Sequence, residues 1–581
     1  MMRYISTRSD FSTESSAEVL INGILPDGGV LVPEYLPFYD EAGLAELAPL
    51  SFNERVVRIL HDFLPDFSPT RLRECVSKAF NKEAFPSERV VSVVGLNKYL
   101  QHEYLLEMWY GPTGSYKDIA IQLYPELLNL AATSMGKNCR YCFINATCGD
   151  AGIAATAALK DFPHTEALIL YPQRGLNEVQ RRQLLDGRGK NILIHPVNAG
   201  FDQIQILTKK ICQSEEIRQA AVEAGKLVVT VNAKSWGRLL PQVAVFVSAY
   251  ADLLATGEIT AHDKLNLVVP SGNLSNLLAA WYARQMGVPF RHLVCASNRN
   301  KVTSDFFSSG KFDANRKLMH TIAPSMDILR PENMERLLFE LSGHNYERVN
   351  AWELALSNDG GYQVETDILR RIQAVMVGGF ADDNAIMRTI REVYDRTDFA
   401  VDPHTAVGFN VYGRYEQRSK DEAKVLYVSP TSPYKTPKVM SNALGLGKGA
   451  ASVPETGLIS DLAKEIGVYL PKQLESLINA ATPAATVAAT AETATAIETN
   501  TNTAADNDNT KANVAATATV DETDVVAVDN IKANNMTAMS QSMSKPTSQP
   551  TSKLDVSEEP VSLTLQQVMP AVLEFVRHGC D

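Results

Sequence analysis

Short, almost wholly apolar runs alternate along this chain with helical segments, and no other feature narrows its fold as far. The runs are Arg140 to Asn145, Ala167 to Tyr171, Ile192 to Val197, Leu227 to Val231, Leu265 to Val269, His292 to Ala296 and Val425 to Val428. Between them stand Ile153 to Leu159, Phe201 to Cys212, Leu239 to Leu254 and Leu277 to Met286, which read as helices. A strand apolar on both faces must be covered on both, so the pattern predicts parallel sheets sandwiched by helices, an α/β class. Such sheets bind ligands beyond the carboxyl ends of their strands. Hydrophobic residues are 45% of the chain and charged residues 21%, enough for a sizeable core. Whole-chain disorder and a coiled-coil rod are excluded, and no repeat of 20 to 50 residues points to a solenoid.

The composition breaks near Ala480. From there to Asp555 the chain is built of Ala, Thr, Asn, Ser and acidic residues, with no aromatic side chain from Pro471 to Glu574. Such a stretch cannot bury enough apolar area to offset its ordering entropy, so a disordered linker is expected over 480–555. After it, Val561 to His578 spaces Leu563, Leu565, Val568, Met569, Val572, Leu573 and Val576 mostly three and four apart. That predicts an amphipathic helix, kinked at Pro570, that docks on the folded body.

Charge and cysteine usage narrow the partners. Lys+Arg is 55 against Asp+Glu at 67, a net charge of −12, with no basic block that would track a phosphate backbone. Neither nucleic acid nor a membrane surface is an expected partner. Seven scattered cysteines read as reduced thiols, and the N-terminal MMRYISTRSDFSTESS lacks an apolar targeting core. With no run of about 18 apolar residues, the expected location is the cytoplasm. Cys139-x-x-Cys142 sits in an apolar run without a second pair, which favours a core reading over a metal. Gly445-Leu446-Gly447-Lys448-Gly449 lacks the preceding strand of a dinucleotide turn and reads as a loop.

Two turns of small residues end a strand and open a helix: Ala146-Thr147-Cys148-Gly149-Asp150-Ala151-Gly152 and Ser271-Gly272-Asn273-Leu274-Ser275-Asn276. Each aims several backbone N–H groups at one spot, which suits an anion, so two cradles suggest two anionic groups. A third segment, Gly111-Pro112-Thr113-Gly114-Ser115-Tyr116-Lys117-Asp118, is not a nucleotide phosphate loop, since Tyr-Lys-Asp stands where Gly-Lys-Ser/Thr is needed. A lysine at a helix start is ordinarily solvated. Here Trp109-Tyr110 before it and Ile119-Ala120-Ile121 after it imply a buried cleft, where a desolvated amine becomes nucleophilic.

From the N-terminus to about Met440 the chain resembles the threonine synthases, pyridoxal-phosphate (PLP) enzymes of fold type II, the tryptophan-synthase-β-like fold. GILPDGGVLVP resembles the family's opening domain, GPTGSYKD its PLP-lysine motif, TCGDAG its TSGDTG loop and VVPSGNLSN its cofactor-phosphate loop. SNRN resembles ATN, SMDILRPENMERLL the SMDI/PSN/ERL block and DPHTAVG the PHTAVG motif. The resemblance implies a family N-terminal domain over 1–90 and a catalytic core over 91–440 with two parallel-sheet subdomains, the smaller within 140–255. A C-terminal segment over 441–479, the linker and a helix within 556–581 complete the expected order.

It further implies that Lys117 binds PLP covalently and that Ser271, Gly272, Asn273, Leu274 and Ser275 hold the cofactor phosphate. Asn232 and Arg238 match the pair that grips the substrate phosphate, and the loop containing Thr147, Cys148 and Gly149 would receive the substrate carboxylate. Asp150 would face the cofactor ring; opposite the phenolic oxygen of PLP, it and that oxygen could not both stay ionised at low cost. The implied reaction converts O-phosphohomoserine and water to threonine and phosphate. Three departures stand out: Cys148 and Ala151 replace two hydroxyls of TSGDTG, Tyr116 replaces the phenylalanine of FKD, and TAHPAKF appears as Pro430-Thr431-Ser432-Pro433-Tyr434-Lys435-Thr436. Thr431 or Ser429 is then the expected partner of the pyridine nitrogen. These changes admit an alternative, a phospho-lyase that eliminates phosphate from a related phosphoamino acid. His404 is expected to be structural and to line the cleft. A binding protein without catalysis is disfavoured, since a scaffold needs neither Lys117 nor the two turns.

Overall fold

The structure, a computed structural model, describes residues 2–86, 89–96, 102–137, 139–230, 233–446, 453–479, 560 and 562–580. Met1–Thr482 and Pro560–Asp581 form one compact unit. The linker expected over 480–555, most of the Gly445 to Gly449 turn and Asn232 lie outside the described residues.

All seven expected strands form, in two sheets. A four-stranded sheet runs in the order Ile192–Val197, Thr165–Pro172, Arg140–Ala146, Lys226–Val229, every pair parallel. A six-stranded sheet runs Met376–Phe380, Phe290–Ser297, Leu265–Pro270, Val425–Ser429, Glu103–Glu107, Ser92–Gly95. Five of its strands are parallel and Ser92–Gly95 pairs antiparallel at one edge. Strand Thr165–Pro172 is buried at every position, as the unbroken apolar run requires.

Helix Trp236–Ala255 is the longest element at 20 residues, and its best 18-residue window has a mean hydropathy of 1.3. By length and composition it could cross a membrane, but 83% of that window is buried within the protein. It packs on helices Lys117–Ser134, Ser275–Gln285 and Phe52–Phe63, in the core shared with the larger sheet. The last strand of the smaller sheet, Lys226–Val229, ends before this helix begins.

The N-terminal region pairs Tyr4–Ser6 with Ser12–Thr13 and Leu31–Pro33 in an antiparallel sheet. Its tie to the rest is electrostatic as well as apolar. Glu335, 2% exposed, accepts from Thr7 Oγ1 at 2.7 Å, from Arg8 Nε at 2.9 Å and from Lys234 Nζ at 2.8 Å. Burial opposes its ionisation, but Lys234 and Arg8 outweigh burial and hold the carboxyl well below its usual range.

The tail forms the single helix Leu565–His578, continuous through Pro570. Its Val568, Val572, Phe575 and Val576 pack on Ile204, Ile211, Ile217 and Ala221 from helices Phe201–Cys212 and Glu215–Glu223. Leu563 adds a parallel bridge to Val197, taking a hydrogen bond from Asn198 N and giving one to Pro196 O, both 2.8 Å. The tail thus covers part of a sheet edge that would otherwise present unpaired backbone groups.

Candidate active site

Lys117 is the first residue of helix Lys117–Ser134. The turn before it is fastened from two sides. Asp118, fully buried, accepts from Thr113 N at 2.9 Å and Thr113 Oγ1 at 2.7 Å, and burial pushes its carboxyl up to about 6. Tyr116 N donates to Pro430 O at 2.7 Å and Ser432 N donates to Gly114 O at 2.9 Å, so the segment after strand Val425–Ser429 lies along the lysine turn. Lys117 opens into two adjoining cavities of about 1060 Å³ and about 50 Å³ that share Cys148, Asn273 and Ile328 as walls.

In the Thr147 to Gly152 turn, Thr147 Oγ1 accepts from Gly149 N at 3.2 Å and Gly152 N at 2.8 Å. Those two amides are spent within the loop. The amides of Asp150 and Ala151, in the first turn of helix Asp150–Leu159, have no acceptor among the described residues and remain available to an anion. Gly149 has φ of +149° and Gln180 Nε2 lies 2.9 Å from where a Cβ would sit, so only glycine fits there. Cys148 is exposed to both cavities, and desolvation by the atoms around it raises its thiol pKa while Lys117 partly offsets the rise.

Asp150 answers the charge problem posed by the sequence. Its Oδ1 stands 3.0 Å from Lys435 Nζ, both side chains 2% exposed, and it accepts from Gln180 Nε2 at 3.1 Å. Burial resists ionisation, but Lys435 and then Lys117 overcome it and hold the carboxyl well below the usual range. Lys435 also donates to Gln183 Oε1 at 2.7 Å and Thr113 O at 3.2 Å, tying Asp150 to the lysine turn. Sequence reasoning assigned Lys435 no role. Its match to the lysine of TAHPAKF was the one available signal.

Ser271 to Ser275 joins strand Leu265–Pro270 to helix Ser275–Gln285 with Leu274 left-handed at φ 65°. No acceptor among the described residues takes the N–H of Gly272, Asn273 or Leu274. A Cβ on Gly272 would stand 2.6 Å from Ser325 O and 3.2 Å from Met326 Cα, which fixes glycine at this close approach. Three free amides at a helix N-terminus beside Lys117 form the kind of cradle a phosphate fills. Tyr116 Oη reaches Ser275 Oγ at 3.5 Å, a link that phenylalanine could not make.

The two hydroxyls considered for the pyridine nitrogen part company. Ser429 Oγ accepts from Trp109 Nε1 and from Thr405 Oγ1, each at 3.1 Å, whereas Thr431 lines the smaller cavity. His404 lines it too: Nε2 accepts from Ser325 N at 3.2 Å and Nδ1 donates to Asp402 at 2.7 Å. Arg238 is 4% exposed and lines the larger cavity, not the outer surface. Lys117, Cys148, Asp150, Gly272, Asn273 and Thr431 thus meet at one cavity, and Lys117, Thr147, Cys148, Asn273 and Arg238 at the other. Gly149, Ser271, Leu274 and Ser275 are buried and line neither cavity.

Residues 3–80 match the family model "Threonine synthase N terminus". Threonine synthase of Pseudomonas aeruginosa is 30% identical over 78% of this chain and 92% of its own. The chain belongs to the threonine synthase family. Threonine synthase-like 1 of Homo sapiens is also 30% identical, over 73% of this chain, which spans only 57% of that longer relative. Among solved structures, the PLP-bound threonine synthase of Brucella melitensis superposes with a TM-score of 0.70 at 26% identity, covering 79% of this chain and 95% of its own. Two parallel sheets are therefore the family's fold, and the family accounts for the N-terminal antiparallel region as well.

Proposed function

We propose that this protein is a PLP-dependent threonine synthase that converts O-phospho-L-homoserine and water to L-threonine and phosphate. One observation carries the reading: Lys117, the cradle at Gly272 and Asn273, and buried Arg238 open onto adjoining cavities. The amides of Gly272, Asn273 and Leu274 would hold the cofactor phosphate, Thr431 would serve the pyridine nitrogen, and Lys117 would be the covalent attachment. PLP bound there supplies an electron sink for charge developing at the substrate α-carbon.

The side chains supply position and proton transfer. The amides of Asp150 and Ala151 bind the substrate carboxylate, and Arg238 offers a planar, always-charged fork to its phosphate. The Lys117 amine would take protons from Cα and Cβ and deliver one back to Cα and one to Cγ, which becomes the methyl group. The C–O bond at Cγ breaks with its electron pair leaving on phosphate, and water adds its oxygen at Cβ and gives its second proton to phosphate, which balances the overall reaction. Lys435 keeps Asp150 ionised, so that carboxylate can hold a proton donor but does not need to give one.

Cys148 and Ala151 both line the larger cavity, which favours a second reading: phosphate elimination that ends in a 2-oxo acid and ammonia. Product analysis with O-phosphohomoserine separates the two, threonine supporting the first and 2-oxobutanoate the second. Lys117→Ala should abolish both the visible absorbance of bound PLP and phosphate release. A wild type purified with added PLP that remains colourless would refute the PLP-dependent reading.

A further inference from the structure

Glu332 precedes helix Met334–Leu341 and lines the larger cavity with Lys117, Cys148 and Arg238. Its Oε1 accepts from Gln205 Nε2 at 2.8 Å. Gln205 stands on helix Phe201–Cys212, which packs on the smaller sheet, whereas the helix after Glu332 packs into the core of the larger one. The hydrogen bond joins the two sheet units and fixes a carboxylate in the cavity wall. This carboxylate and the guanidinium feel each other: burial lowers the Arg238 pKa, and Glu332, after Tyr116, is among the groups that oppose the fall. In the motif that RPENMERLL resembles, this position is the serine of PSN, which carries no charge.

We propose that Glu332 is a specificity-determining residue that limits how tightly the cavity holds an anion at Arg238. The inference rests on reading Arg238 as the contact for the substrate phosphate. A phosphate entering the cavity meets the guanidinium and a fixed negative charge together, and the repulsion cancels part of the attraction. Free phosphate then leaves readily. Retention of the whole substrate depends on the contacts that phosphate alone lacks, above all its carboxylate at the amides of Asp150 and Ala151. A serine would leave the full attraction of Arg238 in place.

The test titrates inorganic phosphate into PLP-loaded enzyme by calorimetry at constant pH and ionic strength. Glu332→Gln keeps an oxygen for Gln205 and removes only the charge, so phosphate should bind about tenfold more tightly than to wild type. Glu332→Ser should shift affinity the same way and serves if the glutamine variant folds poorly. Tighter binding is a result that a damaged fold does not give. Phosphate bound at wild-type affinity or more weakly by both variants, with Arg238→Ala still weakening it, overturns the role of Glu332 and leaves that of Arg238. An affinity that Arg238→Ala does not change overturns both.

Discussion

With its side chain 2% exposed, Asp150 could not be rehydrated if Lys435 were removed, so its charge depends first on that lysine. Lys435→Met should therefore destabilise the protein by about 3–5 kcal/mol at pH 7 in urea unfolding, because it leaves a buried carboxylate without its nearest counter-charge. The pH dependence follows from the depressed folded pKa of Asp150. Stability from the pair is fully present above the unfolded carboxylate pKa of about 3.9 and is lost as the pH falls from there through the folded value. The gap between wild type and Lys435→Met should narrow on acidification; a gap independent of pH would show that the lost stability comes from packing. At the substrate end, Arg238→Ala should lower kcat/KM by about 30-fold to several-thousand-fold while the PLP absorbance remains. Loss of PLP from that variant would place Arg238 at the cofactor. Lys117 was legible in sequence from its aromatic and apolar flanks. Lys435 was not, since a lysine two residues after a proline reads as surface until the fold brings Asp150 to within 3.0 Å.

At the scale of elements, the two strand–turn–helix units line the proposed site, and their glycines are set by close approach. Gly272→Ala pushes a methyl toward Ser325 O, where a Cβ would lie at 2.6 Å, and the cradle amides must move with it. PLP affinity should fall by about tenfold or more in an absorbance titration, with the fold intact by circular dichroism. Unchanged affinity would show that the loop can shift without misaligning its donors. Strands buried on both faces announce themselves as apolar runs, which is why all seven were readable. Glu103–Glu107 begins and ends with a charge and Met376–Phe380 contains Gly378-Gly379. Their strand character comes from ladder pairing to Val425–Ser429 and Phe290–Ser297, which are distant in sequence.

Across the whole molecule, the tail helix and the segment before it should behave oppositely. Val572 is fully buried against helices Phe201–Cys212 and Glu215–Glu223, so Val572→Asp places an unpaired charge in that seam. The tail should detach, seen as faster proteolysis near residue 560 and a Tm lowered by several degrees. Replacing 480–555 by a short Gly/Ser linker should leave Tm and PLP binding nearly unchanged, because a segment of that composition has little apolar surface to bury. A large loss of stability in that variant would contradict the expectation. The sequence by itself determined the parallel α/β class, the two strand–turn–helix units, the place of Lys117 at a helix start and the amphipathic tail, since each is written in local periodicity or in one contiguous turn. Only the tertiary structure decided that Asp150 meets a buried cation, that Thr431 and not Ser429 reaches the smaller cavity, and that Glu332 shares the larger one with Arg238. Those are distances between residues far apart in the chain, fixed by how the two sheets pack, and no local pattern encodes them.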